Sequence, residues 1–172
     1  MTRTLARTRP LRRSTARRRA ILTILAAIAL AVVVTGSASG TDTPPRNLGA
    51  AVDDAGTGTA VWSNLTNGTS SNDLYITATP ATGATTHYFK ATNFGFTVPT
   101  SSTITGVTVD IERSQSGTSS DARDASVKLV KGGVVTGTDK ANTALEWPAG
   151  TDGIASYGSA SDLWGMTLTV AA

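Results

Sequence analysis

The chain has 172 residues with three Trp, three Tyr, three Phe, a single His and no Cys, which excludes disulfides and leaves no recognisable zinc or iron ligand cluster. Its formal net charge of +3 is unevenly held, because eight of the fifteen Lys and Arg residues fall in the first nineteen positions. Residues 41 to 172 carry seven basic residues against all twelve acidic ones, a net of −5, so the basic balance describes the leader and names no partner for the body.

In chain order, the first segment has the layout of an export signal. Arg3, Arg7, Arg9, Arg12, Arg13, Arg17, Arg18 and Arg19 precede the apolar run Ala20 to Val34, which gives way to Gly36-Ser37-Ala38-Ser39-Gly40, and no charge returns until Asp42. A basic, then apolar, then small-residue order is how such signals are built. The run of about fifteen residues suits a signal core and falls short of the roughly 20 that cross a bilayer as a helix. Cleavage is therefore predicted after Ala38, with Gly36 at −3, or after Gly40, with Ala38 at −3. Counted as far as Ser39, the uncharged stretch approaches a full span, and the arginines would hold its start in the cytoplasm. The alternative is thus a single-pass anchor that touches the membrane through residues 20–38 and leaves the body outside. Residues 1–40 are read as a signal peptide or signal anchor with an apolar helix, 41–50 with Pro44-Pro45 as a linker, and 51–172 as one folded domain. About 130 residues bury one sizeable core. Nucleic-acid binding is excluded because the first nineteen residues hold no aromatic side chain to stack on bases.

The body reads as strands. From Thr41 onward there are 24 Thr and no sustained 3.6-residue apolar period, which is all-β composition. Strands are predicted over Ala60 to Asn64, Leu74 to Thr79, His87 to Thr92, Gly95 to Val98, Ile104 to Arg113, Ala125 to Lys131 and Trp164 to Val170. The clearest is Ile104 to Arg113, where Val107, Val109 and Ile111 alternate with Thr108, Asp110 and Glu112, one face apolar and the other wet. Gly132-Gly133 between Leu129 to Lys131 and Val134-Val135 predicts a tight hairpin, since both turn positions tolerate positive φ. Asn67-Gly68, Thr79-Pro80, Thr82-Gly83 and Val98-Pro99 carry turn chemistry. Ser114 to Asp124 is polar and without an apolar anchor, which predicts an exposed mobile loop. Short strands punctuated in this way predict a single antiparallel β-sandwich, jelly-roll-like, rather than a parallel α/β sheet.

Candidate chemistry is thin. His87 lies in Thr86-His87-Tyr88-Phe89, an ordinary strand position, and no sequence feature supplies the base and orienting group that a Ser or Thr nucleophile needs. Asp110 and Glu112 share a strand face and are the one carboxylate pair a hydrolase reading can nominate, although glycosidase pairs flank a bond from two sides of a cleft. Asp53-Asp54, Asn72-Asp73 and Asp121 with Asp124 offer oxygen ligands for calcium, none at EF-hand spacing, and read as loop and turn chemistry. Neither a metal nor a cofactor is expected. Thr-x-Thr recurs from Thr57, Thr77, Thr103, Thr136 and Thr167, but at intervals of 20, 26, 33 and 31 residues; that lacks the fixed period of a solenoid and fits outward strand threonines. Trp147-Pro148 and Tyr157-Gly158 lie in loop-like segments, and exposed rings there would stack on the apolar face of a sugar, so Trp147 and Tyr157 are the candidate binding residues.

Five segments, Val61-Trp62-Ser63-Asn64, Thr92 to Pro99, Ile104 to Arg113, Ser126 to Gly133 and Ser161-Asp162-Leu163-Trp164-Gly165, occur in this order. As a set they resemble a β-sandwich module that recurs in phage virion-associated proteins and in secreted bacterial proteins. The resemblance covers about Val52 to Trp164 and implies surface or virion placement, with no catalytic residue to transfer. The related modules continue past the tryptophan segment with further strands, so this chain resembles a module truncated at its C-terminus, and three readings compete: a truncated or frame-shifted product, an open sheet edge that a partner strand completes, or a smaller sandwich that closes differently. The function expected is that of an exported, non-enzymatic module of the cell envelope or surface, structural or glycan-binding. The alternatives are a truncated polysaccharide hydrolase or its accessory domain, and a phage-derived virion component.

Overall fold

The computed structural model describes residues 22–24, 28–36, 39–116 and 121–170. They form an all-β structure of small antiparallel sheets. The strands are β1 (Leu22–Ile24), β2 (Ile28–Gly36), β3 (Ser39–Asp42), β4 (Ala50–Asp54) and β5 (Ile76–Ala78), followed by β6 (Tyr88–Thr92), β7 (Thr103–Arg113), β8 (Leu129–Lys131), β9 (Val134–Thr136) and β10 (Gly153–Ser159). A short 3-10 turn, Leu65–Thr69, is the only helical piece among the described residues. The largest sheet has the order β10-β7-β2-β3; β1 pairs with β5, β4 with β6, and β8 with β9.

The eleven-residue β7 is the spine. Its alternation puts Val107, Val109, Ile111 and Arg113 on one face, and two apolar clusters meet along it. One gathers buried Leu48, Trp62, Ile76 and Ala78; the other gathers Val107, Tyr157 and Trp164; Val109 and Ile111 pack against both. On its other edges β7 pairs with β10, which sets Tyr157 opposite Val109 and Gly153 opposite Arg113, and with β2 from Ile28 opposite Ile111 to Thr35 opposite Thr103.

Several expectations are met and several are not. The β8-β9 hairpin turns at Gly132 and Gly133 with φ of 58° and 82°, the double positive φ that its two glycines permit. Strands β5, β6 and β7 fall within one or two residues of their predicted bounds. Over the described part of the apolar leader, by contrast, the backbone is extended where a signal or anchor helix was expected. Ile28, Val32, Val33 and Val34 are β-branched, which favours strand once a ladder partner exists, and β7 supplies one. No helix among the described residues is long and apolar enough to cross a membrane. The expected 41–50 linker is partly built into the fold, since β3 runs into its start and Leu48 is only 1 % exposed.

Within the body, Ala60 to Asn64 is reduced to isolated bridges at Ala60 and Ser63, Gly95 to Val98 is irregular, and Trp164 to Val170 is not a strand. The last difference has a local cause. Trp164 and Gly165 both take left-handed φ, 56° and 70°, and a bulky residue there is a genuine outlier that its surroundings must enforce. The Asp162 carboxylate accepts the Trp164 N–H at 2.7 Å, the Trp164 carbonyl accepts the Thr138 N–H at 2.7 Å, and the indole N–H reaches the Val107 carbonyl at 2.8 Å. Strand β10, which includes Tyr157, replaces an expected loop.

Candidate functional site

An arginine at the end of the apolar face of β7 must find partners, because an unpaired buried charge costs several kcal/mol, of order 3–5. Arg113 is 4 % exposed and meets Asp124, itself 6 % exposed. The guanidinium donates to the Asp124 carboxylate and, at 2.6 Å, to the Tyr157 hydroxyl. That hydroxyl donates onward to Asp124 at 2.8 Å, the Trp147 indole N–H does so at 2.8 Å, and the Asn142 backbone N–H at 3.0 Å. The Arg113 carbon lies 5.3 Å from the Trp147 ring centroid and 5.8 Å from that of Tyr157, so the cation is also flanked by two π-faces. Burial, then the bond to the Asp124 carboxylate, pushes the Tyr157 phenol well above its ordinary range and keeps it neutral.

Two loops are clamped around this centre through Gln115, which is 3 % exposed. Its side-chain amide donates to the Trp147 carbonyl at 2.8 Å and accepts from the Ala122 N–H at 2.8 Å, while its backbone N–H reaches the Pro148 carbonyl at 2.8 Å. The Trp147 N–H closes the ring on the Ala122 carbonyl at 2.8 Å. Here the structure corrects in part the reading of Ser114 to Asp124 as exposed: Ser114, Gln115 and Asp124 are 8 %, 3 % and 6 % exposed, while Asp121 and Arg123 are exposed. Residues 117–120 of that loop lie outside the described residues.

The centre opens on a cavity of about 640 Å³. Arg113, Asp124, Trp147 and Tyr157 line it together with Ile111, and Trp62, His87, Phe89 and the segment Pro80 to Thr86 form more of its wall. Trp62 and Phe89 meet edge to face, centroids 6.2 Å apart at 65°. The Trp62 indole donates to the His87 carbonyl at 2.8 Å, and Asp53 accepts the Trp62 backbone N–H at 2.8 Å while its other oxygen lies 2.7 Å from His87 Nδ1. Burial lifts the Asp53 carboxyl, but the Trp62 N–H and His87 outweigh it and hold the group below its ordinary value.

The two proposed binding residues thus come together, though not as exposed loop rings. Tyr157 is 6 % exposed on β10, and Trp147 is half-buried with one edge tied to Asp124. Both face the cavity. Asp110 and Glu112 do not line it; they alternate with the lining residues Ile111 and Arg113 along β7. Burial, then Asp152 and Asp73, raises the Glu112 carboxyl above its ordinary value. Four of the six residues considered for calcium are engaged within the fold: Asp53 as above, Asp54 with Lys90 at 2.8 Å and the Gly56 N–H at 3.0 Å, Asn72 with the Leu74 N–H at 3.2 Å, and Asp124 with four donors. Among the described residues no group of three or more His, Asp or Glu could hold a metal ion.

Sequence reasoning missed the Arg113, Asp124 and Gln115 network and the Asp53 to His87 pair. One signal was present: the parity of Val107, Val109 and Ile111 carries on to Arg113, which puts the guanidinium on the core face. No family model, no curated protein and no solved structure matches the chain.

Proposed function

We propose that the chain is an exported, non-enzymatic β-sandwich module of the cell envelope or surface, and that it binds a glycan. The leader of eight arginines and an apolar run supports export. The two apolar clusters sharing β7 support a sandwich closed around one core. The observation that carries the binding reading is the cavity, whose volume of about 640 Å³ falls among small-molecule sites of roughly 300–1,000 Å³. Its indole, phenyl and phenol rings interleaved with a few fixed polar groups are the mixture that holds sugars by their apolar faces and hydroxyls. Against catalysis, the Asp124 carboxylate already accepts from four donors, which leaves it no free lone pair to act as a base.

The test is a glycan screen with the exported product. A cell-wall or capsule sugar is expected to bind, with the signal falling at least tenfold on Trp147→Ala. Because Trp147 also supports Asp124, Ala81→Trp at the exposed rim of the cavity serves as the second variant; it obstructs entry without touching the network. No hit across both sugar classes, or binding indifferent to both variants, sinks the glycan reading. The mass of the mature N-terminus tests export separately: a chain starting at Ser39 or Thr41 is released, and one still carrying Arg3 is anchored.

A further inference from the structure

We propose that the edge of β7 is a strand acceptor: β2 occupies it in the intact chain, and removal of the leader hands it to an extended, uncharged, aliphatic strand of another protein. In the sheet order β10-β7-β2-β3, β2 is the neighbour on that side of β7 among the described residues. It pairs antiparallel from Ile28 opposite Ile111 to Thr35 opposite Thr103, with one irregularity between Val33 and Val34. Strand β1 likewise is the partner of β5. Both lie N-terminal to the two predicted cleavage positions, Ala38 and Gly40, so either cut removes both covers; a cut after Ala38 also strips β3 of its partner, and one after Gly40 divides β3 itself.

Without β2, the backbone groups that Gly106 to Ile111 turn toward it lose that ladder, along the longest of the described strands, and such an edge is a template onto which strands add. The occupant's chemistry follows from β2. The register sets Val32, Leu30 and Ile28 of β2 opposite Val107, Val109 and Ile111, and β2 is aliphatic and uncharged throughout Ile28 to Val34, so the strand that replaces it is taken to have the same composition. The proposal rests on the exported reading only for what clears the edge, because the edge is set by the sheet order alone.

The experiment keeps the two apart. A protease site replaces Ser37-Ala38 in the full chain, which is folded and then cut in vitro. A fluorescent peptide with the sequence of Ile28–Gly36 is expected to exchange into the cut protein and not into the uncut one. A peptide carrying Leu30→Pro with Ala31→Pro is expected to bind at least tenfold more weakly, since adjacent prolines remove a ladder N–H whichever parity bonds to β7. Three results overturn the proposal: equal binding of the proline peptide, loss of the native fragment with amide exchange along Val107 to Ile111 unchanged, or closure of the edge by a second cut copy, read as a dimer. None of these depends on whether the cell cleaves the leader.

Discussion

Trp164 is fully buried, with its indole N–H on the Val107 carbonyl and its backbone pinned in left-handed φ, whereas Trp147 is half-buried, with its indole N–H on a carboxylate and its ring on a cavity wall. Around Trp164 the fold is closed. Gly158 sits so near that a Cβ there would stand 2.5 Å from the indole nitrogen and 2.3 Å from the Val107 carbonyl. Around Trp147 the same β7 ends in Arg113, and the polar network stands where apolar side chains would have filled the space. The difference shows how one strand face builds two kinds of interior: packing fixes the first, and saturated hydrogen bonding fixes the second while leaving room for a guest.

The largest expected effect comes from breaking the second kind. Asp124→Ala strands the Arg113 charge in the interior, and the expected loss is about 3–5 kcal/mol in urea unfolding. The double variant Arg113→Met with Asp124→Leu removes both charges, and most of that loss should return; if the double is no better than the single, charge burial is not the cause. At the closed end, Gly158→Ala forces a methyl into backbone and indole at a φ of 75°. Overpacking and the left-handed cost together predict a loss of about 2–4 kcal/mol by the same measurement. Milder and more pointed is the pair of Phe substitutions. Trp164→Phe leaves the buried Val107 carbonyl without its donor and should cost about 1–3 kcal/mol, while Trp147→Phe should cost under about 1 kcal/mol, because Asp124 keeps three other donors and water can enter the cavity. Equal costs would mean that the two tryptophans are not differently held.

The all-β class, the spine strand and the Gly-Gly hairpin were legible because each is written in local pattern: period-two alternation and paired residues that permit positive φ. The site was legible only in part. Trp147 and Tyr157 were singled out, but as exposed rings, since turn-forming neighbours such as Pro148 and Gly158 read as loop. Burial of Ser114, Gln115 and Asp124 could not be read from their composition. Polar residues go inside when non-local partners meet them, and Asp124 meets Tyr157 from 33 residues away and Trp147 from 23. The extended conformation of the leader has the same origin, because Val32 to Val34 become a strand only where β7 offers a ladder.

The smallest effects are electrostatic, and they sharpen the comparison because both ends carry carboxylates with lowered pKa. Near Trp164, burial lifts Asp139, but bonds from the Ser126 hydroxyl at 2.7 Å and the Val127 N–H at 2.8 Å outweigh it; Lys140 at 2.7 Å and the Trp164 N–H lower Asp162. Near the cavity, Asp53 is lowered as described, and Lys90 with the Gly56 N–H lowers Asp54. A carboxyl held lower in the folded state stabilises fully above its unfolded value of about 4, and that stability is lost as pH falls through the folded value. Thermal midpoints should therefore be flat near neutrality and decline below about pH 4, with Asp139→Asn and Asp53→Asn each flattening part of the acid limb. Glu112 has the opposite sign. Its folded pKa is raised, so its contribution is present below the unfolded value of about 4.3 and is lost as pH rises through the folded one. Glu112→Gln removes that penalty, and its midpoint should exceed the wild-type value at pH 7 but not at pH 3. A variant less stable than wild type at pH 7 would mean that Glu112 is held by favourable contacts instead of penalised by burial and by Asp152 and Asp73.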